Sequence, residues 1–209
     1  MATSISPSGD DRSVWIVALS RLTCDNYLYF MVGTTIKPTE GYIHRVADQR
    51  WQVAGIGDVN SDLKADILWR NSVTGQNYIY PMNGLEILPS EGYVRTVADL
   101  NWRVTGVGDI NGDAHADILW RNTANGENYL YPMNGTAILA TEGYLRTVPD
   151  QDWQVKGTGD YDGDAKADVL WRNSVTGENY LYPMNGTTIK PTEGYLRTVP
   201  QPNWQMVGR

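Results

Sequence analysis

The sequence predicts an all-β fold, a β-propeller made of four-stranded blades about 51 residues long. Three observations predict it: a fixed internal repeat, short aromatic runs separated by turn residues, and no helical period. Trp51, Trp102, Trp153 and Trp204 stand 51 residues apart, and so do Trp69, Trp120 and Trp171. The tyrosines keep the same step at Tyr27/78/129/180, Tyr29/80/131/182 and Tyr42/93/144/195. Eight Trp and thirteen Tyr against one Phe is therefore one aromatic pattern copied along the chain. Periods of about 40–50 residues belong to propeller blades or to helical arrays.

The elements within a repeat decide against helices. In the third copy the strands are expected at roughly 102–107, 117–121 and 128–133, with a weaker one inside 137–147. The runs "DILWRN", "NYLYPMNG" and "WQVKGTGD" are short, β-branched and aromatic, and they alternate in places with period two. Turn chemistry cuts them: "SVTGE" or "TANGE" after the second strand, and Asn83-Gly84, Asn134-Gly135 and Asn185-Gly186 after the third. Asn-Gly is the strongest short hairpin signal. Tandem four-stranded units read as blades, with the aromatic ladders packed between neighbours.

The repeats are 1–50 (partial), 51–101, 102–152 and 153–203, followed by a closing strand at 204–209, all within one propeller domain. "CDNYLYFMVGTTIKPTEGY" at 24–42 aligns with "GENYLYPMNGTTIKPTEGY" at 177–195, so the first copy is expected to hold strands two to four only. "NWQMVGR" at the other end reads as a first strand that completes the N-terminal blade and closes four blades. Such pairing covers sheet edges that otherwise invite aggregation. An eight-bladed ring of two chains and a piece of a longer propeller remain as alternatives. The first copy diverges over residues 1–23, where Trp15 stands in place of an aspartate and "WIVALSRLT" replaces "VLWRNSVT".

Composition narrows the function classes. Net charge is −7 with a pI near 4.8, which is unlike the basic footprint of a nucleic-acid binder. No apolar run approaches a membrane span, and residues 1–15 show no signal-peptide pattern. Cys24 is the one cysteine, so no internal disulfide is expected. The two histidines, His44 and His115, join no Ser/His/Asp, Cys/His or phosphate-loop arrangement, and the chain is not expected to be an enzyme.

The chemistry is concentrated in a loop present three times. Its oxygen-bearing residues sit at positions one, three, five and nine: Asp58, Asn60, Asp62 and Asp66; Asp109, Asn111, Asp113 and Asp117; Asp160, Asp162, Asp164 and Asp168. Position seven (Lys64, His115, Lys166) has only its backbone carbonyl to offer. Five to seven oxygens with water suit calcium, whereas transition metals would want His or Cys. Ten aspartates crowd these loops, and about three Ca²⁺ ions would bring the formal charge from −7 to −1.

Gly-Asp-x-Asn/Asp-x-Asp-x-x-x-Asp followed by Ile/Val-Leu-Trp resembles the FG-GAP/VCBS repeats of integrin α-subunit propellers, fungal propeller lectins and bacterial surface proteins. The resemblance covers about residues 51–209 well and 15–50 weakly. It implies a structural Ca²⁺ in each loop, between a blade's first two strands, and a secreted or cell-surface location. Where the family usually has Gly after the third ligand, this chain has Leu63, Ala114 and Ala165. A Cβ resists a left-handed backbone, so weaker calcium binding is expected.

The expected function is a calcium-stabilised, lectin-like module that binds carbohydrate at repeated sites. The candidate ligand residues are Trp69, Arg70 and Asn71; Trp120, Arg121 and Asn122; Trp171, Arg172 and Asn173; and a second set, Glu91, Tyr93 and Arg95; Glu142, Tyr144 and Arg146; Glu193, Tyr195 and Arg197. Sugars stack on aromatic faces, and repeated weak sites gain through multivalency. An equally weighted reading has the Glu and Arg residues salt-bridging neighbouring blades. The expected partner is a glycan or a cell-surface protein, and a monomer is favoured. The alternatives are an adhesion scaffold with structural calcium and an engineered repeat scaffold without a ligand.

Overall fold

A computed structural model describes residues 4–5, 13–19, 24–32 and 34–200. It is all-β and is built of repeated antiparallel sheets. The chain divides into two compact units, Met1–Leu100 with Gly135–Ala137, and Asn101–Asn134 with Ile138–Arg209.

The second unit holds two four-stranded sheets. One runs Trp102–Gly108, Asp117–Asn122, Asn128–Tyr131, Gly143–Leu145, and the other Trp153–Gly159, Asp168–Asn173, Asn179–Tyr182, Gly194–Leu196. In both, spatial order follows chain order. Every residue of each second strand is buried, because each face of that strand is covered. Period two then sorts the side chains. Leu119 packs with Val169 and Trp171 of the next repeat, and Arg121, on the same face as Leu119, lies over the Trp171 ring with Cζ 5.0 Å from its centroid.

The two first strands run close together. Thr158 Oγ1 donates to the Val107 carbonyl at 3.0 Å. A bulge separates Val104 from Gly106 in the ladder, and a Cβ on Gly106 would sit 2.4 Å from Thr158 Cγ2. Glycine permits that approach. After the second strand, the Asn122 side chain accepts from Ala124 N at 2.9 Å, and Gly126 N donates back to the Asn122 carbonyl at 2.9 Å. Gly126 has φ +77°, and a Cβ there would meet the Val148 carbonyl oxygen. That turn therefore requires glycine on two counts.

The first unit repeats this plan in Trp51–Gly57, Asp66–Asn71, Asn77–Tyr80 and Gly92–Val94. A second sheet joins Ser4–Ile5, Ser13–Leu19, Asn26–Val32, Thr35–Ile36 and Gly41–Ile43. Leu28, Phe30 and Ile43 of that sheet share a core with Ile56, Ile67, Trp69 and Met82.

One expectation is corrected. The first repeat has more than strands two to four: Ser4–Ile5 pairs with Ile16 and Trp15 along the first-strand edge of Ser13–Leu19. The closing strand assigned to 204–209 lies outside the described residues. The Asn-Gly pairs form hairpins with Asn in the ladder. Asn185 pairs with Thr188, and Asn83 with Glu86, so the two-residue loops are Gly186-Thr187 and Gly84-Leu85. Gly186 and Gly84, both left-handed, take the first loop position, as in turns that suit strand twist.

Candidate functional site

Each Asp-rich loop joins the first two strands of its sheet. Its first residue organises the turn. Asp109 Oδ1 accepts from Gly112 N at 2.6 Å and Asp113 N at 3.1 Å, and Oδ2 accepts from Ala114 N at 2.8 Å. Asn111 Oδ1 accepts from Asp113 N, and Asp113 Oδ1 from His115 N. Asp58 and Asp160 hold Leu63 N and Ala165 N in the same way. These bonds to backbone N–H groups curl each loop. In the third loop Asp160, Asp162 and Asp168 each bring a carboxylate oxygen within 4.8 Å of the other two. This oxygen-only donor set fits a hard cation. Lys64, His115 and Lys166 are placed at position seven, where their backbone carbonyls are the available donors.

The ninth-position aspartate differs from the others. Asp66, Asp117 and Asp168 are fully buried. Asp117 Oδ2 accepts from Ile110 N and Asn111 N, and Oδ1 from Met133 N at 3.0 Å. Asp66 reaches Val59 N and Met82 N, and Asp168 reaches Tyr161 N and Met184 N. One carboxylate thus ties the loop to the end of the third strand. Burial pushes Asp66 and Asp117 up to about 7, against the opposing pull of these backbone donors. Burial also raises Asp58 and Asp168. Lys190 donates to Asp162 Oδ2 at 2.8 Å and to Asp164 Oδ2 at 2.5 Å, and holds Asp164 below the usual carboxylate range. The equivalent positions 88 and 139 are leucine, so this lysine is peculiar to the third loop.

Leu63, Ala114 and Ala165 adopt the left-handed backbone at φ +64°, +70° and +67°. Each pays about 1–2 kcal/mol for its Cβ there. Ala114→Gly is expected to raise the stability of the chain by about 0.5–1 kcal/mol after the extra chain entropy of glycine is deducted. Urea unfolding of the two proteins checks this.

The candidate ligand residues separate into two groups. Trp69, Trp120, Trp171, Arg70, Arg121, Arg172, Asn71, Asn122 and Asn173 are all buried. Arg70 donates to the carbonyls of Gly75 and Val97, and Arg172 to those of Gly177 and Val199. Asn71 and Asn173 cap their turns. These nine side chains lie inside the fold and are spent on it, because second strands are covered on both faces.

The second group is at the surface. Tyr42, Tyr93, Tyr144 and Tyr195 are 70%, 62%, 62% and 67% exposed. Each stands edge-on to a partner ring, at 4.8, 4.7, 4.7 and 4.8 Å between centroids. Glu91 and Glu193 hydrogen-bond the Tyr78 and Tyr180 hydroxyls. Arg146 pairs with Glu193 of the following repeat, Nη2 to Oε1 at 2.7 Å, and hydrogen-bonds Tyr182 with its Cζ 5.3 Å from that ring's centroid. Arg95, Arg197 and Glu91 are exposed and Glu142 is half-buried.

Residues absent from both sequence sets line a cavity of about 170 Å³ in the first unit: Val46, Trp51, Tyr78 and Tyr80, together with Trp69 and Tyr93. Comparing the repeats position by position would have pointed to it, since His44, which stands edge-on to Tyr80, takes the place of the arginine found at 95, 146 and 197.

The FG-GAP-like repeat family model matches residues 109–171, from the first aspartate of the second loop to Trp171, under a third of the chain. No curated protein matches the chain. Among solved structures, the crystal structure of the V. cholerae biofilm matrix protein Bap1 aligns with 98% of this chain at 19% identity and a TM-score of 0.38. The chain spans 29% of that protein's length. Among the described residues, no helix is long and apolar enough to cross a membrane.

Proposed function

We propose that the sheets are blades of a β-propeller, stapled by calcium, and that the module binds glycans through its repeated surface tyrosines. The observation that carries this reading is the exposure of Tyr42, Tyr93, Tyr144 and Tyr195 at equivalent positions. An exposed phenol ring braced edge-on by a second ring is a stiff platform, and burying it against a ligand costs little entropy. A carboxylate two residues earlier (Glu91, Glu142 or Glu193) supplies acceptors for hydroxyls. Four weak sites on one chain gain through effective concentration.

Calcium would be held by Asp58, Asn60, Asp62 and Asp66; Asp109, Asn111, Asp113 and Asp117; and Asp160, Asp162, Asp164 and Asp168, with the position-seven carbonyls. Bound there it supplies positive charge that relieves carboxylate repulsion. The left-handed Leu63, Ala114 and Ala165 weaken the loops, which suits the millimolar calcium met by extracellular modules. The module is accordingly read as secreted or cell-surface, and as non-enzymatic.

A glycan array probed with the whole chain in calcium tests the reading. Binding competed by free monosaccharide and reduced about tenfold or more by Tyr93→Ala combined with Tyr144→Ala supports it. Retained binding to a protein surface with no glycan signal favours the second reading, an adhesion scaffold. The same tyrosines suit that role, because Tyr is enriched where one end of a side chain is buried and the other wet.

A further inference from the structure

The residues that line the cavity in the first unit have sequence counterparts in the second. Val46, Trp51, Trp69, Tyr78, Tyr80 and Tyr93 correspond, 102 residues on, to Val148, Trp153, Trp171, Tyr180, Tyr182 and Tyr195. Both sets are aromatic cages with a glutamate, Glu91 or Glu193, bonded to a cage tyrosine. In the second unit the preceding repeat supplies two guanidinium groups to the cage. Arg121 lies over Trp171, and Arg146 lies over Tyr182 while binding Glu193 through two nitrogens.

In the first unit neither arginine is present. The strand register aligns Leu19 with Asn26 as Arg121 aligns with Asn128, so position 19, the equivalent of Arg121, is leucine. The equivalent of Arg146 is His44, which meets Tyr80 edge-on at 6.3 Å. Arg45, one residue further, lies 3.9 Å from Asp25. The consequences are visible in the cage. Tyr80 is half-buried where Tyr182 is buried, and Glu91 is exposed where Glu193 is half-buried. Among the described residues Glu91 forms no ion pair.

We infer that this cage is a binding site for a guanidinium group supplied from outside the fold. Ring faces attract a cation by their quadrupole, and Glu91 provides the matching charge. The volume admits a small planar cation. The fold itself shows the fit, since the counterpart cage is built around the chain's own guanidinium groups. The ligand is an arginine side chain or a free guanidino compound. The inference depends on neither the calcium loops nor glycan binding.

The test is a titration of the whole chain with methylguanidinium at low millimolar concentration, followed by the NMR signal of the Trp51 indole. N-methylurea serves as the neutral planar control. Saturable binding of methylguanidinium, at least about fivefold stronger than N-methylurea, is expected from a cation–π site. His44→Arg is expected to fill the cage and abolish binding, and Glu91→Gln to weaken it about fivefold. Comparing free L-arginine with an arginine-containing peptide separates the two sources. Absence of saturable binding, equal binding of the urea, or undiminished binding by both folded variants overturns the inference. A negative glycan array leaves it standing.

Discussion

Asp117→Ala is expected to destabilise the calcium-free chain by about 3–5 kcal/mol, far more than any other single aspartate in its loop. The Asp117 carboxylate is fully buried and accepts from Ile110 N, Asn111 N and Met133 N. Alanine leaves three amide groups without their acceptor, and each such loss costs about 1–3 kcal/mol when water cannot replace it. Some of that is returned because a poorly solvated carboxylate is removed with them. Asp113→Ala is the control. Asp113 is exposed, and its contacts within the turn, to His115 N and the Asn111 amide, are open to water. Its loss is expected to cost under about 1 kcal/mol in EDTA while removing one calcium site. Urea unfolding in EDTA measures both. Equal losses for the two variants would mean that the ninth-position carboxylate does not hold the hairpin.

Calcium is expected to reverse the pH dependence of stability. An unfolded aspartate titrates near 3.9, while burial carries Asp66 and Asp117 to about 7 in the fold. Between those values the folded chain binds more protons than the unfolded one. Protonation therefore favours folding at pH 5, and the contribution is lost as pH climbs through 7. At about 1.4 kcal/mol per unit for each site, the calcium-free chain should be several kcal/mol more stable at pH 5 than at pH 8. Asp164 and Glu193 carry depressed values through Lys190 and Arg146. Their contributions disappear below about pH 4 and leave this window untouched. Calcium needs the ionised carboxylates, so millimolar calcium should restore stability at pH 8 and do little at pH 5, where protons compete. Urea midpoints in EDTA and in calcium at the two pH values give the four numbers. A melt at pH 8 that EDTA leaves unchanged would remove calcium from the proposal.

Much of the architecture was legible because it is local. The 51-residue step of Trp and Tyr, the turn residues and the period-two runs each act within a few residues, and they place the four strands of a repeat. The oxygen pattern of the loops was equally legible, since a turn that must present several carboxylates has few possible spacings. The ligand residues were harder. "LWRN" looks like a recognition set when read along the chain, because Trp, Arg and Asn are what binding surfaces use. In the fold it is the most deeply covered strand, and its arginines are spent on carbonyls at the rim of their own sheet. The "EGYxR" motif also reads as one unit, yet Arg146 meets Glu193 of the next repeat, 47 residues away.

The sequence by itself determined the repeat, the all-β class, the loop chemistry and the costly Cβ at Leu63, Ala114 and Ala165, because these depend on spacing and on backbone stereochemistry. Only the tertiary structure decided which side chains are spent inside the fold and which face outward. Burial is a property of the neighbouring sheet, so one motif can be packing on its second strand and surface on its fourth. It also decided that His44 matters, by bringing that position of the first repeat, conspicuous only as a departure from arginine, edge-on to Tyr80 of the aromatic cage.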